Sequence, residues 1–281
     1  MSRSRSRSRQ VLGGLALTTL GIGYGTHLYL SSLERRYPAL PPEMTTTKIL
    51  RVPDDPKTQR CAYVDVFAAR VPLRKLLRRS DNNDNNNASS ESTSSSNSTH
   101  QDLALVWAQR FLDSRIMRME RDYFGLPKLD LASSEKLRDA KEGDWSLGEV
   151  RVVRRSSEAD AEGSLFQQRP SKTSTSTASS NNRVNAVLFC WRMPDDPRLF
   201  FEKLAAGGYP WRLMSGGRHE LNVELLDDDG EEPMVEVRFA AAHDYQIVPA
   251  EGDRQKIIPG WVMRLHRGFG RFVLDQAVKE L

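Results

Sequence analysis

At 281 residues the chain is long enough for one or two domains, and its 41 Lys and Arg against 37 Asp and Glu leave a net charge of +4. Four of those charges, Arg3, Arg5, Arg7 and Arg9, precede the first acid; the rest balances, so the pI near 9.1 belongs to the tail and nucleic acid is excluded as a partner. Two cysteines, Cys61 and Cys190, are too few for a disulfide framework and match no zinc spacing.

Residues 1–10 form a basic Ser-Arg tail that reads as a membrane-flanking cluster. Gln10–Leu33 follows with 24 residues and no formal charge outside His27. At about 1.5 Å per residue a helix of this length exceeds a hydrocarbon core of about 30 Å, so residues 11–33 are predicted to be a transmembrane helix. A cleaved signal is disfavoured because no clear small-x-small cleavage site follows the apolar core Val11–Ile22 and the apolar character continues to Leu30. The arginine bias places the N-terminus in the cytosol or matrix of a single-pass membrane protein, with the mitochondrial inner membrane ahead of the endoplasmic reticulum.

Residues 34–57, with Tyr37-Pro-Ala-Leu-Pro-Pro42, read as a linker, and residues 58–281 as one domain interrupted by disordered loops at 80–100 and 156–182. Within the domain, Cys61–Phe67, Leu147–Val153 and Val184–Trp191 show strand patterning. His219–Leu226 and Met234–Ala242 flank Asp227-Asp-Asp-Gly230 as a hairpin. Asp102–Asp122 has a helical stripe, and Asp196-Pro197 opens a helix that Gly207 ends. The last helix, Pro259–Leu281, carries Trp261, Leu265, Phe269, Phe272 and Val273 on an apolar face and Arg264, Arg267, Arg271, Asp275 and Lys279 on a solvated one. These elements predict an α+β fold, an antiparallel β-sheet packed by a long C-terminal helix.

Gly208-Tyr209-Pro210 through Gly217-Arg218-His219-Glu220-Leu221, with Val235–Phe239 and Leu265–Arg271, resembles uncharacterised START-like proteins of the helix-grip, polyketide-cyclase-like type. The likeness spans about residues 191–281 and implies a cavity between sheet and helix that holds an apolar ligand.

No nucleotide loop, nucleophile elbow or metal motif occurs in a fitting context, so no cofactor and no metal are expected. The candidate ligand-binding residues are Trp191, Trp211, Arg212, His219, Phe239, His243, Tyr245, Trp261 and His266. Ser215-Gly216-Gly217-Arg218 reads either as an anion cradle or as a tight turn. Three functions follow as expectations. The first is a membrane-anchored domain binding a hydrophobic ligand, lipid or partner protein in a cavity lined by Trp191, Trp211, Phe239 and Trp261. The second is a small cyclase- or hydrolase-type enzyme, which requires His219, His243 or His266 to meet an acid or Arg212. The third is a membrane assembly or tethering factor. Catalytic residues stay unassigned.

Overall fold

The computed structural model of the chain describes residues 21, 23–78, 103–124, 138–139, 150–154, 184–226 and 232–281. The basic tail, the first half of the expected span, both expected loops and the hairpin turn lie outside these residues. Helix α1 covers 23–36 and is followed by a short α2, Pro42–Thr45, and a 3-10 turn, Lys48–Arg51. Then come β1 (Gln59–Pro72), α3 (Leu73–Leu77), α4 (Leu103–Leu112) and α5 (Arg115–Phe124). The remainder is β2 (Arg138–Asp139), β3 (Val150–Arg154), β4 (Val184–Arg192), α6 (Asp195–Ala206), β5 (Gly216–Leu226), β6 (Met234–Gln246) and α7 (Gly260–Lys279).

The strands form a single sheet in the order β1-β6-β5-β4-β3-β2, antiparallel except for the short β2–β3 pair. The fold is therefore α+β, an antiparallel sheet with a long C-terminal helix. Strand alternation gives the sheet two buried faces. On one, Phe67, Ala69, Val71, Val187, Leu221, Val235, Val237 and Phe239 meet Trp107 and Phe111 of α4 and Val273, Leu274 and Ala277 of α7. On the other, Val66, Ala186, Leu188, Ala240 and Ala242 are covered by Leu50 and Leu40.

The 34–57 stretch is thus built into the domain and is not a linker. Side chains of β5 fasten it: buried Glu220 accepts from Thr47 N at 3.0 Å, Asn222 donates to Thr45 O at 3.1 Å, and Arg218 Nε donates to Leu50 O at 2.8 Å. The prolines rule out a regular strand there, yet the segment still satisfies its backbone against the sheet.

Two further expectations change. The helix expected over 102–122 is two helices, broken at Asp113-Ser114, where Gln109 Nε2 donates to Asp113 Oδ2 at 2.8 Å and Ser114 is buried. Short polar side chains of this kind compete with the helical ladder. The faces of α7 also depart from the expectation, although Val273 is buried and Lys279 exposed as expected. Trp261, Leu265 and Phe269 are 66%, 43% and 48% exposed, whereas Arg271 and Asp275 are 6% and 2% exposed. Each inward arginine has a partner: Arg264 Nε donates to Glu34 at 2.8 Å, Arg267 Nε to Asp65 at 2.6 Å and Arg271 Nε to Tyr37 O at 2.8 Å. The Arg271 guanidinium also lies 4.4 Å from the Phe67 ring centroid. Asp275 accepts from Arg36, Tyr37 and Lys279 rather than from Arg271.

These contacts tie α1 to α7. The first residues of α1, 23–29, are exposed, but Leu30 and Leu33 are buried, and a Cβ on Gly268 would collide with Leu30. The last turn of the expected span therefore belongs to the domain core. Among the described residues no helix is long and apolar enough to cross a membrane.

Candidate functional site

The antiparallel register places His219 of β5 opposite Ala241, and Gly217 opposite His243 of β6, so both imidazoles share the face crossed by α7. Tyr63 of β1 stands across from His243 on its other side, with ring centroids 4.4 Å apart. From α7, His266 contacts His243 edge-on at 4.7 Å. Trp191 of β4 closes the group, 6.0 Å from His219 and 6.3 Å from His243.

Trp191 reaches this position because residue 217 is glycine. A Cβ there would stand 2.9 and 3.0 Å from the indole and would collide with the Ala242 carbonyl oxygen. Gly216 likewise has no room beside Trp191 O. Both glycines lie within β5 and are required by close approach, and the anion that Arg218 meets is the protein's own Asp244, at 2.6 and 2.8 Å. Asp244 points to the opposite face of the sheet from His243.

His243 is fully buried, and no described residue hydrogen-bonds to either ring nitrogen; Asp65 Oδ2 lies 3.5 Å from Nε2. Burial, with the neighbouring imidazoles, pushes His219 down to about 3 and His266 down to about 4, so both are neutral at pH 7. Burial raises the Asp65 carboxyl, but contacts with His243 and Arg267 outweigh it and hold the group below the usual carboxylate range. The cluster therefore sets the uncharged imidazoles of His219 and His266 around His243, between the Tyr63 and Trp191 rings and beside one ionised acid already paired with Arg267.

Nucleophilic thiols are lacking among the described residues. Cys61 and Cys190 are both free, and burial raises each thiol, Cys190 to about 12. Among the described residues no group of three His, Cys, Asp or Glu could hold a metal ion.

The structure divides the remaining candidate residues. Tyr245 is buried 6.3 Å from Tyr63 and joins the rim of the cluster. Phe239 stacks on Phe111 at 5.1 Å in the core and touches His219 edge-on at 5.1 Å. Trp211 packs on Phe201 and Tyr209 beneath α6 at 5.3 and 4.7 Å, and Arg212 beside it is held by Glu202 and by Glu251 at 2.9 Å. Trp261 is exposed at the start of α7. Trp191 and Phe239 thus flank His219 from two sides, while Trp211 and Trp261 stand apart from them and from each other. Trp191 also borders a polar cleft of about 350 Å³ with Asp54, Asp195, Arg198 and Ser215 on its walls.

Asp65 and Tyr63 were missed from sequence. The signal was present in Cys61–Phe67, where alternation sets Tyr63 and Asp65 on the side of Phe67, an inward position for a charged residue. Comparison of the chain with protein-family models, with curated proteins and with solved structures finds no match to any of them.

Proposed function

We propose that the chain is a membrane-anchored, non-enzymatic domain that binds an amphipathic ligand, such as a lipid, beside Trp191 and the three histidines. The observation that carries this is His243, a fully buried imidazole among aromatic walls whose ring nitrogens have no hydrogen-bond partner among the described residues, the Asp65 carboxylate standing off at 3.5 Å from Nε2. Natural folds seldom leave such groups unsatisfied, and a ligand hydroxyl or carbonyl would complete it. The anchor rests on the charge-free residues 10–33 and on Tyr24, Leu28 and Tyr29, which α1 exposes as it leaves the domain. In this reading the bilayer takes the residues before Leu30. The course of α7 past β1 and β6 is what supports the helix-grip comparison.

The test is native mass spectrometry of the full chain released from mild detergent. Truncation at Pro42 would strip Leu33 and Tyr37 from the core, so the intact chain is needed. A retained small-molecule mass, reduced in His243→Gln and Trp191→Ala, is expected. A bare mass for wild type and both variants refutes ligand binding and leaves the tethering role. The second reading is a cyclase- or hydrolase-type enzyme, favoured by the 3.5 Å approach of Asp65 to His243. Turnover of the retained molecule, abolished in His243→Gln while binding persists, would select it.

A further inference from the structure

We propose that the outward stripe of α7, Trp261, Leu265 and Phe269, joins Tyr29 of α1 as a surface that rests on the lipid bilayer. The inference rests on the anchored reading of the chain and is independent of the histidine cluster.

The stripe follows i, i+4, i+8 spacing, so its side chains stand about 6 Å apart along one line of the helix. Single exposed hydrophobes are ordinary, but here a helix turns three outward while burying Arg271 and Asp275 on its other side. In water that arrangement has no advantage; against lipid it places the apolar residues where they are stable. The ridge is continuous with α1: Phe269 lies 6.5 Å from Phe272, which lies 6.4 Å from Tyr29. Beyond Tyr29, Leu28 and Tyr24 are also exposed. The sequence before them, residues 10–22, is uncharged, and it joins the described structure at this end of the ridge. This continuity selects the bilayer over a second copy. Trp and Phe are also the side chains that settle best at a membrane interface.

The test uses the full chain reconstituted into phosphatidylcholine–phosphatidylserine vesicles containing doxyl-labelled lipid. The Trp261 signal is taken as the difference between wild type and Trp261→Phe. Quenching of that signal by the labelled lipid, with protection from aqueous acrylamide, is expected. Replacing Leu265 and Phe269 by Ser should restore acrylamide access to Trp261, without loss of the unfolding transition, since both are exposed. Acrylamide access without lipid quenching overturns the ridge while leaving the anchor standing. Protection from both quenchers also overturns it, because protein, either residues 11–22 folded back or a second copy, then covers the stripe. A chain that does not float with the vesicles overturns ridge and anchor together.

Discussion

Arg218 and Asp244 are both buried within the sheet, and the guanidinium makes three hydrogen bonds, two to Asp244 and one to the Leu50 carbonyl. Arg218→Met removes the positive charge and leaves the Asp244 carboxylate, which burial already raises, without its counter-charge. Breaking one side of such a pair costs about 3–5 kcal/mol. The double variant Arg218→Met/Asp244→Leu removes both charges and leaves only the Leu50 carbonyl unpaired, a cost of about 1–3 kcal/mol. The pair should therefore show a favourable coupling of about 3 kcal/mol or more in a double-mutant cycle. Urea unfolding of the full chain in mild detergent, followed by tryptophan fluorescence, measures all four corners. A loss of that size in Arg218→Met would remove a large part of a stability that is typically about 5–15 kcal/mol. The reasoning is refuted if the double variant is as unstable as the two single losses added together. Additivity would mean that the two charges do not depend on each other.

Two other outcomes follow from the site. Gly217→Ala should cost about 1–3 kcal/mol, because the Ala242 carbonyl cannot withdraw, and should shift the Trp191 emission as the indole lifts; an unchanged urea midpoint contradicts the packing argument. His219 and His266 have folded values of about 3 and about 4 against an ordinary 6.5, so the unfolded chain takes up protons that the folded chain refuses. Their contribution is fully present above 6.5 and is lost as pH falls from there toward about 4 for His266 and about 3 for His219. His219→Gln should thus lose less stability than wild type between about pH 7.5 and about pH 5, and equal losses would argue against its burial.

The strands were legible because alternation and a charged turn mark them. Val184–Trp191 became β4 with one residue added, and Leu226 pairs with Met234 to close the hairpin expected around Asp227–Gly230. Much of the site was legible too, since Trp191, His219, His243 and His266 do meet. Residue type misled where polar groups turn inward. Arg271 reads as a solvent residue until Tyr37 O and the Phe67 ring supply its partners, and both come from segments far away in sequence. The prolines of 38–42 suggested a spacer, because composition cannot reveal that Glu220, Asn222 and Arg218 hold the stretch that follows. Trp211, Arg212 and Trp261 were grouped with the histidines by proximity in sequence, which α6 and the outward turn of α7 undo.

The clasp between α1 and α7 also governs when the domain can fold. Arg36 and Tyr37 are separated from Asp275 by 239 and 238 residues. During synthesis at about 5–20 residues per second, Leu30 and Leu33 wait roughly ten to fifty seconds for the helix that covers them. The β1 strand waits nearly as long for β6, its neighbour in the sheet. The helix α1 is thus delivered long before the α7 that covers its Leu30 and Leu33, so its apolar face waits uncovered by the domain for most of synthesis.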